Sequence, residues 1–182
     1  KGEILWDDPY FLETNVELKI RLSAFTFDYE GYSKFEIGAR TEFSYNITKQ
    51  YQVGLFGSER RVDIVSSDIK DKFIGDTKYF VSSIGFFNTL DLRDSPVVPT
   101  RGLILGQTFE LASSAIGSEI ELFRTTARAS YFIPFGKTFL ELGARAGLVR
   151  PLHEGTNDIN AIPIDERFFN GGSTTVRSFG ER

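Results

Sequence analysis

The sequence contains no cysteine and no methionine, and it has one histidine and one tryptophan. Without cysteine there is no disulfide framework, no thiol nucleophile and no cysteine metal site. The single histidine, His153, has no partner signature nearby and is expected to be a solvated loop residue. No nucleophile–base pair, phosphate-binding glycine loop or zinc motif occurs. These absences predict a protein that is not an enzyme and needs no cofactor or metal.

Long hydrophobic runs are also missing, since no window approaches the roughly 18 consecutive apolar residues of a membrane helix. A membrane location is still possible, because a transmembrane β-strand shows only about 10 residues of alternating hydrophobicity. The formal net charge is -4 and the basic residues do not cluster, so no nucleic-acid partner is expected. The chain starts Lys1-Gly2-Glu3, with neither an initiator methionine nor a signal peptide, which predicts a fragment of a longer protein.

Apolar and aromatic residues are abundant instead: 41% of the 182 residues are hydrophobic and 14% are aromatic, including 18 phenylalanines. That much aromatic surface requires burial, which excludes a disordered chain. The length is that of about one domain.

Alternation of apolar and polar residues is the dominant pattern. Val16, Leu18, Ile20 and Leu22 fall on one side, between the polar residues of 17–23, and period two indicates a β-strand. We predict about seven such strands and no helix, at residues 16–27, 34–47, 51–63, 79–92, 102–112, 119–133 and 138–149. Residues 1–15 form an aromatic-rich lead. Phe25 and Phe27 fall on the polar side, so the first strand is expected to switch faces at a bulge or to end there.

The length of these strands separates two all-β folds. Strands of soluble sandwiches average roughly 5 to 6 residues, whereas these run about 11 to 15, enough to cross a bilayer while tilted. Short turns at 48–50 and 134–137 alternate with long loops at 66–77 and 151–182, as in outer-membrane barrels. We therefore predict a segment of an antiparallel transmembrane β-barrel. Its polar side carries Lys19, Arg21, Glu36, Arg40, Glu42, Arg128, Glu141 and Arg145.

Seven strands cannot form this wall alone, because an unpaired strand edge cannot lie in hydrocarbon. The barrel interpretation therefore requires more strands than this chain supplies.

The tail, residues 162–182, is too long and too rich in glycine for a tight turn. Gly171 and Gly172 can bring the backbone close to another surface. A single arginine, Arg177, follows between the apolar Val176 and Phe179. Its guanidinium must reach water or meet an acceptor. Long loops of this kind are usually functional or disordered, and the apolar anchors favour a functional loop.

Residues 168–180 resemble the sixth extracellular loop of the Omp85 superfamily, whose pattern is an aromatic pair, two glycines, a Ser/Thr run and Val-Arg-Gly-Phe. Ser178 replaces the usual glycine of the last tetrad. Residues 91–102 resemble the family's Arg-Asp-x-Pro…Pro-x-x-Gly turn, and residues 7–12 its Asp-Pro-aromatic strand lead. The resemblance implies two sets of site residues: a loop motif (Gly171, Gly172, Val176, Arg177, Ser178, Phe179) and a turn motif (Asp91, Arg93, Asp94, Pro96, Pro99, Gly102).

The charged residues of that turn have a second interpretation that does not depend on the resemblance. Asp91, Arg93 and Asp94 could suggest a metal or acid–base site. Alternating charge at a proline turn more often caps and satisfies the backbone. We therefore expect these three residues to serve the structure of the turn.

The resemblance further implies that residues 1–182 are part of one barrel domain of about sixteen strands, with soluble POTRA domains before it. In the family the long loop folds into the lumen, where its arginine meets acidic groups of later strands. The implied location is the outer membrane of a Gram-negative bacterium, or of an organelle of bacterial origin. The implied function is the insertion of unfolded β-barrel precursors into that membrane.

The partners implied are those client proteins, the lipid bilayer and accessory lipoproteins or periplasmic proteins. Three alternatives remain open: a polypeptide transporter of the two-partner-secretion type, a passive porin-like channel, and a soluble β-sandwich binding module. Upstream POTRA domains would exclude the porin, and solubility without detergent would favour the sandwich.

Overall fold

A computed structural model describes residues 1–29, 31–67, 75–152 and 162–168. These residues form one eight-stranded sheet in which strands adjacent in the chain are adjacent in space and antiparallel. The strands are β1 Gly2–Asp8, β2 Val16–Tyr29, β3 Tyr32–Asn46, β4 Tyr51–Ser67, β5 Lys78–Asp91, β6 Gly102–Ala112, β7 Leu122–Phe135 and β8 Thr138–Pro151. The all-β antiparallel fold class is confirmed.

Within the described ranges, three short 3-10 helices accompany the sheet, at Phe11–Glu13, Ser114–Ile116 and Ile164–Glu166. Among the described residues, no helix has the length and apolar character needed to span a bilayer.

The strand β1 is absent from the sequence prediction, which treated these residues as a lead. It pairs with β2 from Gly2 opposite Ala24 to Asp8 opposite Leu18. Leu5 and Trp6 are apolar neighbours in the chain, which breaks the period-two pattern on which the prediction relied. The remaining boundaries differ by a few residues, the largest changes being the extension of β4 to Ser67 and the later start of β7 at Leu122.

The strand β2 neither ends at Phe25 nor switches faces, so both sequence alternatives for this region are wrong. It continues to Tyr29 in unbroken register with β3. Its aromatic side chains pack along the polar face instead. The rings of Tyr29 and Tyr32 stack with centroids 4.9 Å apart, and the Lys34 ammonium lies 4.8 Å from the centre of the Phe27 ring. A cation over an aromatic face makes this cluster compatible with its charged neighbours.

The register gives the sheet an inner and an outer face. All eight charged residues predicted for the polar side lie on the inner face. The outer face carries a band of exposed large apolar side chains, which includes Ile4, Trp6, Leu22, Phe35, Ile37, Phe43, Leu55, Ile84, Phe86, Leu105, Leu111, Tyr131, Leu140, Leu142 and Leu148. A sandwich would bury such a band against a second sheet. A band of this extent left exposed marks a surface for membrane or protein contact.

The connections between strands define two ends of the sheet. We call the end with the connections 9–15, 47–50, 92–101 and 136–137 the turn side, and the end with 30–31, 68–77, 113–121 and the segment after Pro151 the loop side. The two predicted short turns and the two predicted long loops lie on opposite sides, as expected. The hairpin at 30–31 and the longer connection 92–101 depart from this division.

The sheet is strongly curved toward its inner face. Lys34 on β3 bonds Asp165, and Arg124 on β7 bonds Glu166, the next residue along the chain. Strands lie about 4.8 Å apart, so a flat sheet would separate β3 from β7 by about 19 Å. These bonds, together with one apolar cluster that contains both Tyr32 of β3 and Leu122 of β7, indicate a concave inner face, as in the wall of a barrel.

Candidate functional site: a loop segment seated on the inner face

Residues 162–168, which we call the seated segment, lie against the inner face near the loop side. Ile162 and Ile164 are buried at 0% and 8% exposure, and Pro163 between them is fully buried. They join a hydrophobic cluster formed by Tyr32, Val62, Ile64, Tyr79, Val81, Ala112, Ile120 and Leu122. Most of these are inward-facing residues at the loop-side ends of β3 to β7. Apolar burial therefore attaches the segment to the wall.

The carboxylate of Glu166 binds two arginines from separate strands. Its Oε2 atom lies 3.1 Å from Nη2 of Arg60 on β4 and also accepts a hydrogen bond from Nη2 of Arg124 on β7. Arg124 donates from its other terminal nitrogen to Glu110 at 3.2 Å, and Ser83 donates to Glu110 at 2.8 Å. The Glu166 side chain is only 1% exposed. The result is a four-charge network around the buried Glu166 that spans β4, β6, β7 and the seated segment.

The neighbouring Asp165 binds a second cation. Its carboxylate accepts a hydrogen bond of 2.7 Å from Nζ of Lys34 and a longer one of 3.4 Å from the Tyr32 hydroxyl. Lys34 also bonds Glu36 at 2.8 Å. Because Asp165 and Glu166 are consecutive residues of a 3-10 helix, their side chains diverge toward opposite parts of the concave wall.

Both loop carboxyl groups have shifted pKa values, in opposite directions. Burial by itself would raise the pKa of Glu166, but the Arg60 and Arg124 guanidiniums overcome that effect and hold it below the ordinary value. Burial raises the pKa of Asp165, and Lys34 offsets only part of the rise. Of these two carboxyl groups, Glu166 is thus the one that its surroundings hold in the charged form.

Two buried polar atoms lack a hydrogen-bond partner within the described residues: Oε1 of Glu166 and the hydroxyl of Tyr79. An unpaired buried polar atom costs about 1–3 kcal/mol. The contribution of the network to stability is therefore smaller than the number of its ion pairs suggests.

A polar hollow of about 860 Å³ lies on the turn side of the network. Its lining includes the inward-facing side chains of Arg40, Glu42, Gln52 and Arg128, together with small residues such as Gly106. The ring of Phe168, at the end of the seated segment, packs against the backbone of Gly147 at its edge. The described residues hold no cluster of three or more His, Cys, Asp or Glu suited to a metal ion.

The predicted loop motif lies outside the described residues, as does His153, and both assignments stay predictions. The turn motif lies on the turn side, at the opposite end of the sheet from the hydrophobic cluster around the seated segment. Asp91 accepts hydrogen bonds of 2.8 and 2.6 Å from Nε and Nη2 of Arg93. Asp94 accepts backbone hydrogen bonds from Ser95, Thr100 and Arg101. In the structure these carboxylates bind the turn itself.

The sequence prediction did not include Asp165, Glu166 or their cationic partners among the site residues. The resemblance implied a basic loop residue against acidic wall residues, and in the described part the polarity is the reverse. A signal was present, since the pair of acids directly precedes the recognised motif and Lys34 falls on the inner face of β3. To predict that these acids pair with the cations of the wall, one must know the curvature of the sheet, and the spacing of residues in the sequence does not give that curvature.

Comparison with known proteins agrees with this architecture. The family model described as the Omp85 superfamily domain matches residues 1–182. Among solved structures, the chain is similar to the crystal structure of BamA from Haemophilus ducreyi lacking POTRA domains 1-3, with a TM-score of 0.79 and 13% sequence identity. The match covers 98% of this chain and 37% of that chain. At this identity the structural likeness concerns the fold, whereas the family match extends over the whole sequence. The chain therefore belongs to the Omp85 superfamily of outer-membrane β-barrel proteins.

Proposed function

We propose that this chain is part of the barrel domain of an outer-membrane assembly factor, which inserts unfolded β-barrel precursors into the outer membrane. Residues 1–182 supply a middle portion of a barrel of about sixteen strands. The activity is non-enzymatic and uses neither ATP nor a redox cofactor. Client strands pair with an openable edge of the barrel by β-augmentation.

The observation that carries the proposal is the seated segment. It occupies the concave face through buried ion pairs to β3, β4 and β7 and an apolar cluster toward the loop side. A passive channel needs an unobstructed interior for its solutes. An interior obstructed in this way favours a protein whose wall, rather than its pore, is the working part.

The contacts of the seated segment also determine where the wall can open. One short segment links strands that are up to four positions apart, so separating any of them exposes buried charges, which is costly. The strands β3 to β7 therefore form a stiff part of the wall. Opening for a client takes place at strands beyond this stiff part.

The outer and inner faces of the sheet suggest the partners of the protein. The bilayer contacts the outer apolar band, which on β4 gives way to Glu59 and Arg61 toward the loop side. The unfolded client contacts the opened edge and the bilayer at once. Accessory lipoproteins or periplasmic proteins assist as further partners.

The polar hollow favours a second candidate, a polypeptide transporter of the two-partner-secretion type. Its charged side chains and the amide of Gln52 would suit an extended polypeptide better than a folded solute. In that case the seated segment would have to leave the interior during transport, whereas an assembly factor can keep it in place.

Reconstitution of the full-length protein into liposomes separates these candidates. A urea-unfolded β-barrel client is added outside, and its integration is followed by heat-modifiable gel mobility and protease protection. We expect faster integration of the client than in protein-free liposomes. Recovery of an unfolded polypeptide in the vesicle interior would support the transporter instead. Rapid swelling in small sugars with no effect on the client would support a channel.

A further inference from the structure

The connection 92–101 between β5 and β6 is a hairpin with a well-defined tip. The antiparallel ladder continues beyond both strands, since Leu92 N donates to Leu103 O at 2.8 Å and Asp94 N donates to Arg101 O at 3.0 Å. The tip of the turn side hairpin is therefore the short stretch 95–100. We call it the valine tip, after Val97 and Val98 at its centre.

The backbone donors of the valine tip are satisfied within the hairpin. The Asp94 carboxylate accepts from the backbone nitrogens of Ser95, Thr100 and Arg101 at 3.0, 2.9 and 3.1 Å. The Ser95 hydroxyl accepts from Val97 N at 3.4 Å and Val98 N at 3.2 Å. The two remaining positions, 96 and 99, are prolines, which have no N–H. From residue 94 to residue 101, each backbone N–H is bonded locally or absent.

The side chains at the centre of the tip are apolar and exposed. Val97 is 84% exposed and Val98 is 64% exposed. Both positions next to this pair are prolines, so residues 96–99 carry no polar side chain. A rigid hairpin thus presents two large apolar groups to its surroundings.

This combination identifies the kind of partner. A protein that adds a strand or a peptide would use free backbone donors, and the tip offers none. Hydrocarbon, in contrast, disfavours unpaired backbone N–H groups, and the tip leaves none of them unpaired. The apolar outer face also continues toward the tip, because Leu92 follows the outward-facing residues of β5 and is 48% exposed.

We propose that the valine tip inserts Val97 and Val98 into the bilayer leaflet on the turn side, where it anchors the wall. Depth and tilt of a membrane wall depend on such anchors at the interface. The hairpin thereby fixes the height of β5 and β6 relative to the lipid. The inference rests on the membrane location contained in the proposed function.

Depth-dependent quenching tests the anchor in the full-length protein reconstituted into phosphatidylcholine liposomes. Single cysteines are introduced as Val97→Cys, Lys49→Cys and Leu142→Cys, each labelled with an environment-sensitive NBD fluorophore. Lys49 lies in the exposed turn 47–50 on the same side, and Leu142 lies on the outer face at 53% exposure. We expect the labels at 97 and 142 to shift to shorter wavelength and to be quenched by spin-labelled lipids. The label at 49 is expected to be quenched by aqueous iodide.

The controls separate the possible failures. If position 97 behaves like position 49 while position 142 is quenched by lipid, the tip lies in water and the anchor is overturned, with the membrane location intact. If position 142 is also unquenched by lipid, the membrane location itself fails. Protection of position 97 from both quenchers would show that protein covers the tip, which also overturns the anchor. Val98→Cys repeats the measurement, and heat-modifiable mobility verifies that each variant is folded.

Discussion

Arg124 binds Glu166 in two ways: its Nη2 atom donates both to the side-chain carboxylate and, at 2.9 Å, to the main-chain carbonyl of the same residue. The second bond fixes the backbone of the seated segment in addition to its charge. A carboxylate alone could move along the wall from one cation to the next. The bond to the carbonyl holds residue 166 at one position.

Glu166→Ala should release the seated segment. Among the described residues, the change leaves Glu110 as the ion-pair partner that Arg60 and Arg124 share, and breaking a buried pair in this way costs about 3 kcal/mol. Trypsin should then cleave after Arg167 much faster than in the unaltered protein. Glu13→Ala is the matched control, because Glu13 also ends a 3-10 helix but is exposed. Equal cleavage rates in the two variants would contradict the role of the ion pairs.

The seated segment should stay bound to the inner face when the pH is lowered well below neutral. The lowered pKa of Glu166 means that its contribution is complete above the ordinary value, about 4.3, and is lost as the pH falls through the lowered one. Asp165 acts in the opposite direction. Because its pKa is raised, its contribution makes the attachment of the segment more stable as the pH falls through the raised value. Hydroxyl-radical labelling of Ile162 and Ile164 should therefore not increase between neutral pH and about 4.3. Release above that range would show that another group controls the seat.

Gly102→Ala should impair folding of the β5–β6 hairpin. Gly102 has a φ of +115°, and an added Cβ would lie 2.2 Å from the carbonyl oxygen of Leu92. The strained backbone alone costs about 1–3 kcal/mol, and the collision adds to it. The urea midpoint of the folded barrel should fall. Gly57→Ala is the control, since a Cβ there meets nothing within 4 Å, and an equal loss in both variants would point to a general effect of added methyl groups.

Asp94→Ala should loosen the valine tip without altering the strands. The Thr100 hydroxyl, followed by the backbone donors of Thr100, Arg101 and Ser95, holds the pKa of Asp94 down at about 2. Its stabilising effect is therefore complete above the ordinary pKa of about 3.9, and it is lost only as the pH falls through about 2. Hydrogen exchange at the amides of 95, 100 and 101 should accelerate in the variant.

Asp91→Ala serves as the control for that measurement. The Asp91 carboxylate binds Arg93 rather than the tip, so the same three amides should exchange at their original rates. Acceleration in both variants would mean that Asp94 has no special role in the tip.

Tyr79→Phe should leave stability unchanged or raise it. The hydroxyl is buried and has no partner among the described residues, so its removal relieves a desolvation cost without breaking a bond. The urea midpoint measures the effect. A clear loss of stability would show that the hydroxyl has a hydrogen-bond partner beyond the described residues.

The strands could be predicted from the sequence, whereas the contacts of the seated segment could not, for one physical reason. The alternation from Val16 to Leu22 reports a side-chain period, which is local, and β2 followed from it directly. The pairing of Arg60 with Glu166 joins residues 106 positions apart. That contact depends on the curvature of the whole sheet, which no local pattern encodes. The predicted loop motif around Arg177 lies outside the described residues and stays a prediction.

Three regions follow one another along the inner face of the described part, so its two ends differ. The apolar cluster comes first from the loop side, the charge network follows, and the polar hollow comes last. Among the described residues, the concave face is thus filled toward the loop side and hollow toward the turn side. In the proposed assembly function, this filled end would favour release of a client sideways into the bilayer over its passage along the inner face.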